Sequence, residues 1–537
     1  MRAPRGPGEA VTLSDLDDDP HPVLARLRAA APVCWVPALG AWLVTGYEPA
    51  VEVLRDARTF TVDDPRFSTA KVVGPSMLSL DGAHHTRHRG PFNRPFRHDQ
   101  IDLRLGSFTR AEAGRLISAI QPRGAAELRR ALAGPLAVAV MADALGLGQA
   151  DPARILAWYD GIVAAVQAEA ARAAQAPPGG LSPAAGPGRD DWAAATAFAG
   201  LAASLREVMA APRSASLLAE AARPLTEAEA ISNAAVLMFG GIETTEGMIA
   251  NAVLHLLSHP SELGLVLADR SLVPGAIEES LRLEPAAAVV DRYATSDAHL
   301  RGARIRAGDQ VTVSLAGANR DPAVFANPDR FDIRRPDAGR HLTFARGPHF
   351  CLGAHLARLE ARIAVEAVLD GLPGLRLDPG YPSAPRGLVF RKPPALRVRW
   401  NPCGAGLKWH GGGWRATRGG VMSEQDSSQP EQDLDEAAEF AGEFDERFHR
   451  SRREHGGEID RLDDDQLARL TEEERVAAGV DDYDPDEVPP ATDTPPLVDP
   501  SQSPERQEAR AEFIREYDKG ELYPIDEDDP FPPTRYE

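Results

Sequence analysis

The chain has 537 residues and a formal net charge of −21, but the acidity is unevenly placed: residues 422–537 hold 37 acids and 12 bases, leaving 43 acids against 47 bases in residues 1–421. Nothing in a body so close to neutral suggests the basic stripe of a nucleic-acid binder. Three scattered cysteines, Cys34, Cys351 and Cys403, exclude a disulfide framework and suit a reducing cytoplasm.

No basic start followed by an apolar run marks a leader, and no membrane anchor is expected. The longest apolar stretch, 234–257, contains Glu243, Glu246 and several glycines, which predicts a buried helix rather than a membrane span. The length predicts two or three structural units.

In chain order, "VCWVPALGAWLVTG" (33–46) predicts short strands near the start. "HHTRHRGPF" (84–92) gathers three histidines, but Asp81 is the only acid close by and no cysteine is near, which weighs against a metal site. "ILAWYDGIVAAV" has helical apolar spacing. "AQAPPGGLSPAAGPGRDD" (174–191) reads as a loop insertion. "MFGGIETTEG" (238–247) places two glycines, an acid and an alcohol inside an apolar helix. Each glycine costs roughly 1 kcal/mol there against alanine. A local opening of the helix, with room for a small molecule and a water, would justify that cost. "EESLR" (278–282) sets Glu279 and Arg282 three apart on a helix, within reach of an ion pair. "HLRGARIRAGDQVTVSL" (299–315) alternates apolar residues around a glycine turn, as a hairpin would.

"FARGPHFCLG" (344–353) precedes a helical run, "AHLARLEARIAVEAVL". A thiolate at a helix N-terminus is stabilised by backbone N–H groups and the helix dipole. Gly347 and Gly353 admit close approach of something large and flat, and Arg346 and His349 can face an anion. A metal held by one thiolate against a flat ligand with carboxylates suits haem.

That loop resembles the haem-binding signature of the cytochrome P450 family: Phe344, Gly347, His349, Cys351 and Gly353 fall in register, with Ala345 where the family usually has glycine. The resemblance covers roughly residues 15–400. It implies a mainly α fold with small β-sheets and Cys351 as the proximal ligand of haem b. It also implies contacts to the haem propionates from His349, from His85 and Arg89 in "HHTRHR", from Arg292 in "DRYAT" (291–295), and from His341 in "HLTFARG". "MFGGIETTEG" resembles the family's oxygen-activation helix, which implies that Glu243 and Thr244 handle protons there. Glu279 and Arg282 correspond to its structural ion pair, and "ANRDPAVFANPDRFDIRR" (318–335) resembles the loop ahead of the cysteine.

The function implied is a cytoplasmic monooxygenase acting with O2 on a small, mainly apolar substrate. The pocket walls would come from 72–78, Val236, Phe239, 287–290 and 388–390. Electrons would come from NAD(P)H through a separate ferredoxin and ferredoxin reductase, because no cysteine follows Cys403 and no dinucleotide fingerprint is present. Two rival functions are an oxidative coupling or peptide-crosslinking enzyme, for which Tyr517, Tyr523 and Tyr536 would be conceivable substrates in cis, and a non-catalytic activator of a partner enzyme. The domain expectation is a haem-thiolate domain over 1–401, a Gly-rich unpatterned linker over 402–421 and an acidic, mostly disordered extension over 422–537. Within that extension Leu434, Ala437, Phe440, Phe444 and Phe448 share a helical face that could bind a partner.

Overall fold

In a computed structural model, which describes residues 6–148, 150–175, 189–210, 216–401, 407–410 and 413–416, helices dominate and the sheets are small. The central element is the 32-residue helix Glu227–Ser258. Its start is fixed by reciprocal capping between Thr226 and Glu229, and it ends just before His259-Pro260. It is buried around most of its circumference, as an apolar helix in the middle of a large core must be. The helix Ala354–Gly371, which follows the cysteine, packs on it and on His98–Ile120. One apolar cluster joins these helices to Gly134–Ala144 and Val273–Leu283.

Beside the helices lies a five-stranded sheet in the order Val33–Val36, Ala41–Val44, Gln310–Ser314, Val289–Ala294, Phe60–Thr61. The first two strands form an antiparallel pair, from Val33 opposite Val44 to Val36 opposite Ala41. The single hairpin expected over 299–315 is instead divided. Ala298–Leu300 pairs with Ala303–Ile305 across Arg301 and Gly302, both at positive φ (47° and 85°), as a two-residue primed turn requires. Gln310–Ser314 joins the main sheet, parallel to Ala41–Val44 and antiparallel to Val289–Ala294. It is buried from Val311 to Ser314, so both its faces are covered, which suits an interior strand rather than a solvated hairpin arm.

The ends of the expected 174–191 loop belong to the helices Pro152–Gln175 and Arg189–Ala210; residues 176–188 lie outside the described residues. Within 402–421, read from sequence as unpatterned, Leu407–His410 pairs antiparallel with Gly413–Ala416. Four residues per strand are too few to show a period in the sequence. Cys403, the Phe440–Phe448 face and the C-terminal tyrosines lie outside the described residues. Among the described residues no helix is long and apolar enough to cross a membrane.

Candidate active site

The cysteine loop is closed by its own backbone. Cys351 N–H donates to the Phe344 carbonyl at 2.8 Å and Phe350 N–H to that of Gly347 at 2.9 Å. The turn delivers Cys351 to the start of Ala354–Gly371, which Gly353 caps. Gly347 is required twice over. Its φ is +69°, and a Cβ there would stand 2.6 Å from the Leu54 carbonyl oxygen.

Ala345 has φ +60°. That accounts for the family's usual glycine, since the left-handed region costs other residues about 1–2 kcal/mol. Ala345→Gly should therefore stabilise the protein, by a net of about 1 kcal/mol once the greater freedom of glycine in the unfolded chain is set against it. A rise in the melting temperature of the haem-loaded protein is the check.

The Cys351 side chain is exposed on one side. Protein surrounds the rest closely enough that burial pushes the thiol up, against an N–H bond from Gly353 and the charges of Arg89 and Arg358. Phe344 stacks under Arg358, 4.5 Å from the ring centre, and Arg358 binds Glu278 at 2.7 and 3.0 Å.

The histidine helix Gly82–Asn93 brings its side chains to this loop. Asp81 stands at its N-cap but does not cap it. Its carboxylate instead accepts from the Thr61 hydroxyl (2.6 Å), the Val62 N–H (2.9 Å) and His349 Nε2 (2.7 Å). Burial opposes ionisation of Asp81, but these three donors, His349 foremost, outweigh it and hold the carboxyl below the usual range. Burial pushes His349 down to about 4 despite Asp81. The ring of His85 lies 4.4 Å from that of His349. Arg89 donates to the Phe350 carbonyl at 2.6 Å. Arg292, on the strand Val289–Ala294, is buried and is pushed down to about 10 by that burial, with the charges of Asp81 and Asp291 opposing.

The three clustered histidines diverge: His84 is exposed, His85 faces His349, and His88 meets Asn233. Among the described residues no group of three or more His, Cys, Asp or Glu side chains could hold a metal ion. His341 does not join the cluster. Its Nε2 meets Glu278 at 3.2 Å and its Nδ1 accepts from the Thr343 N–H at 3.2 Å, so its contacts support the cysteine loop from behind.

Glu243 and Thr244 lie mid-helix on Glu227–Ser258. The opening expected there is absent: the helix is continuous through Gly240 and Gly241. Only Gly241 is closely approached by a neighbour. A Cβ on Gly241 would meet Met141 Cε at 2.1 Å, whereas one on Gly240 would have nothing within 4 Å. Thr244 donates its hydroxyl proton to the Gly240 carbonyl at 2.6 Å. Glu243 accepts from the Tyr159 hydroxyl and from Lys392 Nζ (2.7 Å).

Three of these participants were not legible as site residues. Asp81 had a signal, an acid at a helix start beside a histidine cluster. Tyr159 lies 84 residues from Glu243 and carried none. Lys392 had a faint one: it is one of four lysines in a chain with 59 basic residues.

The donor set fits haem. Two buried guanidiniums, Arg89 and Arg292, lie at this loop and strand, and the two carboxylates that act on Arg292 already accept from other donors, Asp81 from Thr61, Val62 and His349 and Asp291 from the Thr312 hydroxyl at 2.6 Å. Guanidiniums and imidazoles of this kind suit a ligand with carboxylates, and the exposed Cys351 thiol at a helix start suits its metal.

Comparison with known proteins gives the same picture. The family model described as Cytochrome P450 matches residues 266–372. The chain is 36% identical over 415 residues to cytochrome P450 monooxygenase PikC of Streptomyces venezuelae, covering 72% of this chain and 92% of that protein. It is 33% identical to mycinamicin IV hydroxylase/epoxidase of Micromonospora griseorubida over 67% of this chain and 89% of that one. Among solved structures, P450BioI in complex with an acyl carrier protein bearing hexadec-9Z-enoic acid superposes with a TM-score of 0.64 at 29% identity, over 72% of this chain and all of that one.

Proposed function

Because this chain belongs to the cytochrome P450 family and is a monooxygenase of that family, we propose that it inserts oxygen into a small, largely apolar organic substrate in specialised metabolism, with Cys351 as the axial thiolate of haem b. The observation that carries this reading is the exposed Cys351 thiol, on which Arg89 acts, in a loop whose His349 meets His85 and is held by Asp81, the carboxylate that also acts on Arg292. We place the haem-thiolate domain in residues 1–401, the linker in 402–421 and an accessory acidic extension in 422–537. A cytoplasmic location and electrons from NAD(P)H through a ferredoxin and its reductase complete the proposal.

When bound, haem supplies dioxygen activation and the oxidant that attacks the substrate. Arg89, Arg292, His85 and His349 bind and orient its carboxylates. The Gly353 N–H and the charges of Arg89 and Arg358 favour the ionised sulfur of Cys351. His341, through Glu278 and Arg358, steadies the loop. Thr244 holds its hydroxyl on the Gly240 carbonyl, and Glu243, the residue before it, carries a proton toward that hydroxyl.

Apolar walls are supported by Val72, Leu78, Val236, Phe239 and Phe390, which share one cluster. Phe239 meets Phe390 edge to face at 5.8 Å. Such a pocket excludes water and takes an apolar guest. Screening compounds for the ferric spin-state change on binding would find the substrate, with mycinamicin IV and vitamin D3 included because two relatives are named for them.

With the substrate in hand, Thr244→Ala is expected to uncouple turnover. Product per nicotinamide consumed should fall and hydrogen peroxide release should rise. A positioned proton-transfer group is worth roughly 10²–10⁴ in rate, and a bound water can restore part of that. Unchanged coupling would remove Thr244 from the reaction.

A further inference from the structure

Glu243 is one member of a closed charge set. Both of its oxygens are committed, Oε2 to the Tyr159 hydroxyl and Oε1 to Lys392 Nζ at 2.7 Å. Lys392 also binds Glu246 Oε2, one helical turn along the same helix, at 2.5 Å. The other oxygen of Glu246 takes Arg129 at 2.9 Å, and Arg129 in turn reaches the Pro393 carbonyl at 3.0 Å. Asp160 is the remaining charged neighbour, and burial with the charge of Glu243 raises its carboxyl. Two carboxylates thus face one ammonium and one guanidinium, all mostly shielded from solvent.

The residue types are informative. Lysine is rare here, and the ammonium of Lys392 reaches both carboxylates at once. Burial, with the charges of Glu243 and Glu246, pushes the Tyr159 phenol far above its ordinary range, so it remains a hydrogen-bond donor. Both partners come from outside the long helix: Tyr159 from Pro152–Gln175, and Lys392 from the segment just after Phe390. That segment lies against the helix at Gly247, where a Cβ would stand 3.6 Å from Lys392 Cβ and would crowd Ala286 Cβ at 2.9 Å.

We propose that Lys392 and Tyr159 are positioning residues that hold Glu243 as an oriented carboxylate beside Thr244, and so set when it takes up the proton it passes on. This rests on the reading of Glu243 as a proton carrier. Without the ammonium, Glu246 keeps Arg129 but Glu243 loses its cationic partner, and the neighbouring charge of Glu246 then favours the protonated form of Glu243. Without the phenol, Glu243 loses a donor that favours its charged form, with the same direction of change.

The test is infrared spectroscopy of the haem-loaded protein, following the protonated-carboxyl band against pH, with E243Q identifying the band. The expected result is a Glu243 band that appears at distinctly higher pH in K392M than in the parent, a smaller shift in Y159F, and near-parent behaviour in K392R. Coupling should fall in K392M and recover in K392R. A Glu243 band that titrates alike in parent, K392M and Y159F overturns the inference, as does a shifted band that E243Q leaves in place. Y159F removes only an oxygen, so the proposal stays testable if K392M does not accumulate. If E243Q itself leaves coupling unchanged, the proton-carrier reading fails, while the infrared shift still reports whether Lys392 and Tyr159 hold the carboxylate.

Discussion

Cys351→Ala should abolish the red-shifted Soret band of the reduced, CO-treated protein and reduce the haem retained on purification. Among the described cysteines only Cys351 stands at a helix start with an exposed sulfur. Cys34 is buried on a strand, packed in an apolar cluster with Val36 and Leu43, which leaves no room for a metal beside its sulfur. Cys34→Ala and Cys403→Ala should therefore keep the band. Retention of the band in Cys351→Ala would move the ligand elsewhere and break the registration of the whole loop. Arg89, Arg292 and His85 should still bind the haem carboxylates weakly in the variant, so some haem without the thiolate signature is the expected residue.

The second large effect is structural. Arg282 is completely buried. It grips both oxygens of Glu279 at 2.7 and 2.8 Å and donates to the carbonyls of Asn319, Pro328 and Arg330 at 2.9, 2.7 and 3.2 Å. Glu279 also accepts from the Asp332 N–H and from Arg335, each at 3.0 Å. One guanidinium thus ties the helix Val273–Leu283 to the 318–335 segment that leads into the cysteine loop. Arg282→Met removes one charge of a buried pair and takes the Arg282 donor from the Asn319 and Pro328 carbonyls, at a cost of about 3–5 kcal/mol. Set against a total stability of about 5–15 kcal/mol, that loss should leave little soluble haem protein and a strongly lowered melting temperature. Arg282→Lys should rescue poorly, because an ammonium cannot reproduce the two-pronged grip. A variant with parental haem content and melting temperature would show that the network is dispensable.

Much of this architecture is legible in the sequence where the signal is local. Cys351, His349, His85, Arg89 and Arg292 could each be named from short patterns that resemble the family's, and the fold sets His85 beside His349 and Arg89 on the Phe350 carbonyl because those patterns mark a helix and a loop that pack together. Partners that meet only across the fold were not legible. Asp81 was passed over as a lone acid, although its carboxylate steadies His349. Tyr159 and Lys392 reach Glu243 from distant elements, and no spacing rule connects them. The glycines of "MFGGIETTEG" misled in a different way. Their cost in a helix is real, and what justifies it is the approach of Met141 and free space at Gly240 rather than a break. His341 lies three residues before Phe344, its ring 5.7 Å from that of Phe344 and its Nε2 on Glu278, a partner that position alone does not reveal.

Isotope labelling tests the central claim most directly. The reconstituted enzyme should be supplied with 18O2, NAD(P)H, a ferredoxin and its reductase, and a compound that shifts the ferric spin state. One labelled oxygen atom per product molecule, with the other recovered in water, is the predicted result. Oxidised or coupled product free of label would contradict oxygen insertion and assign the protein to oxidative coupling instead.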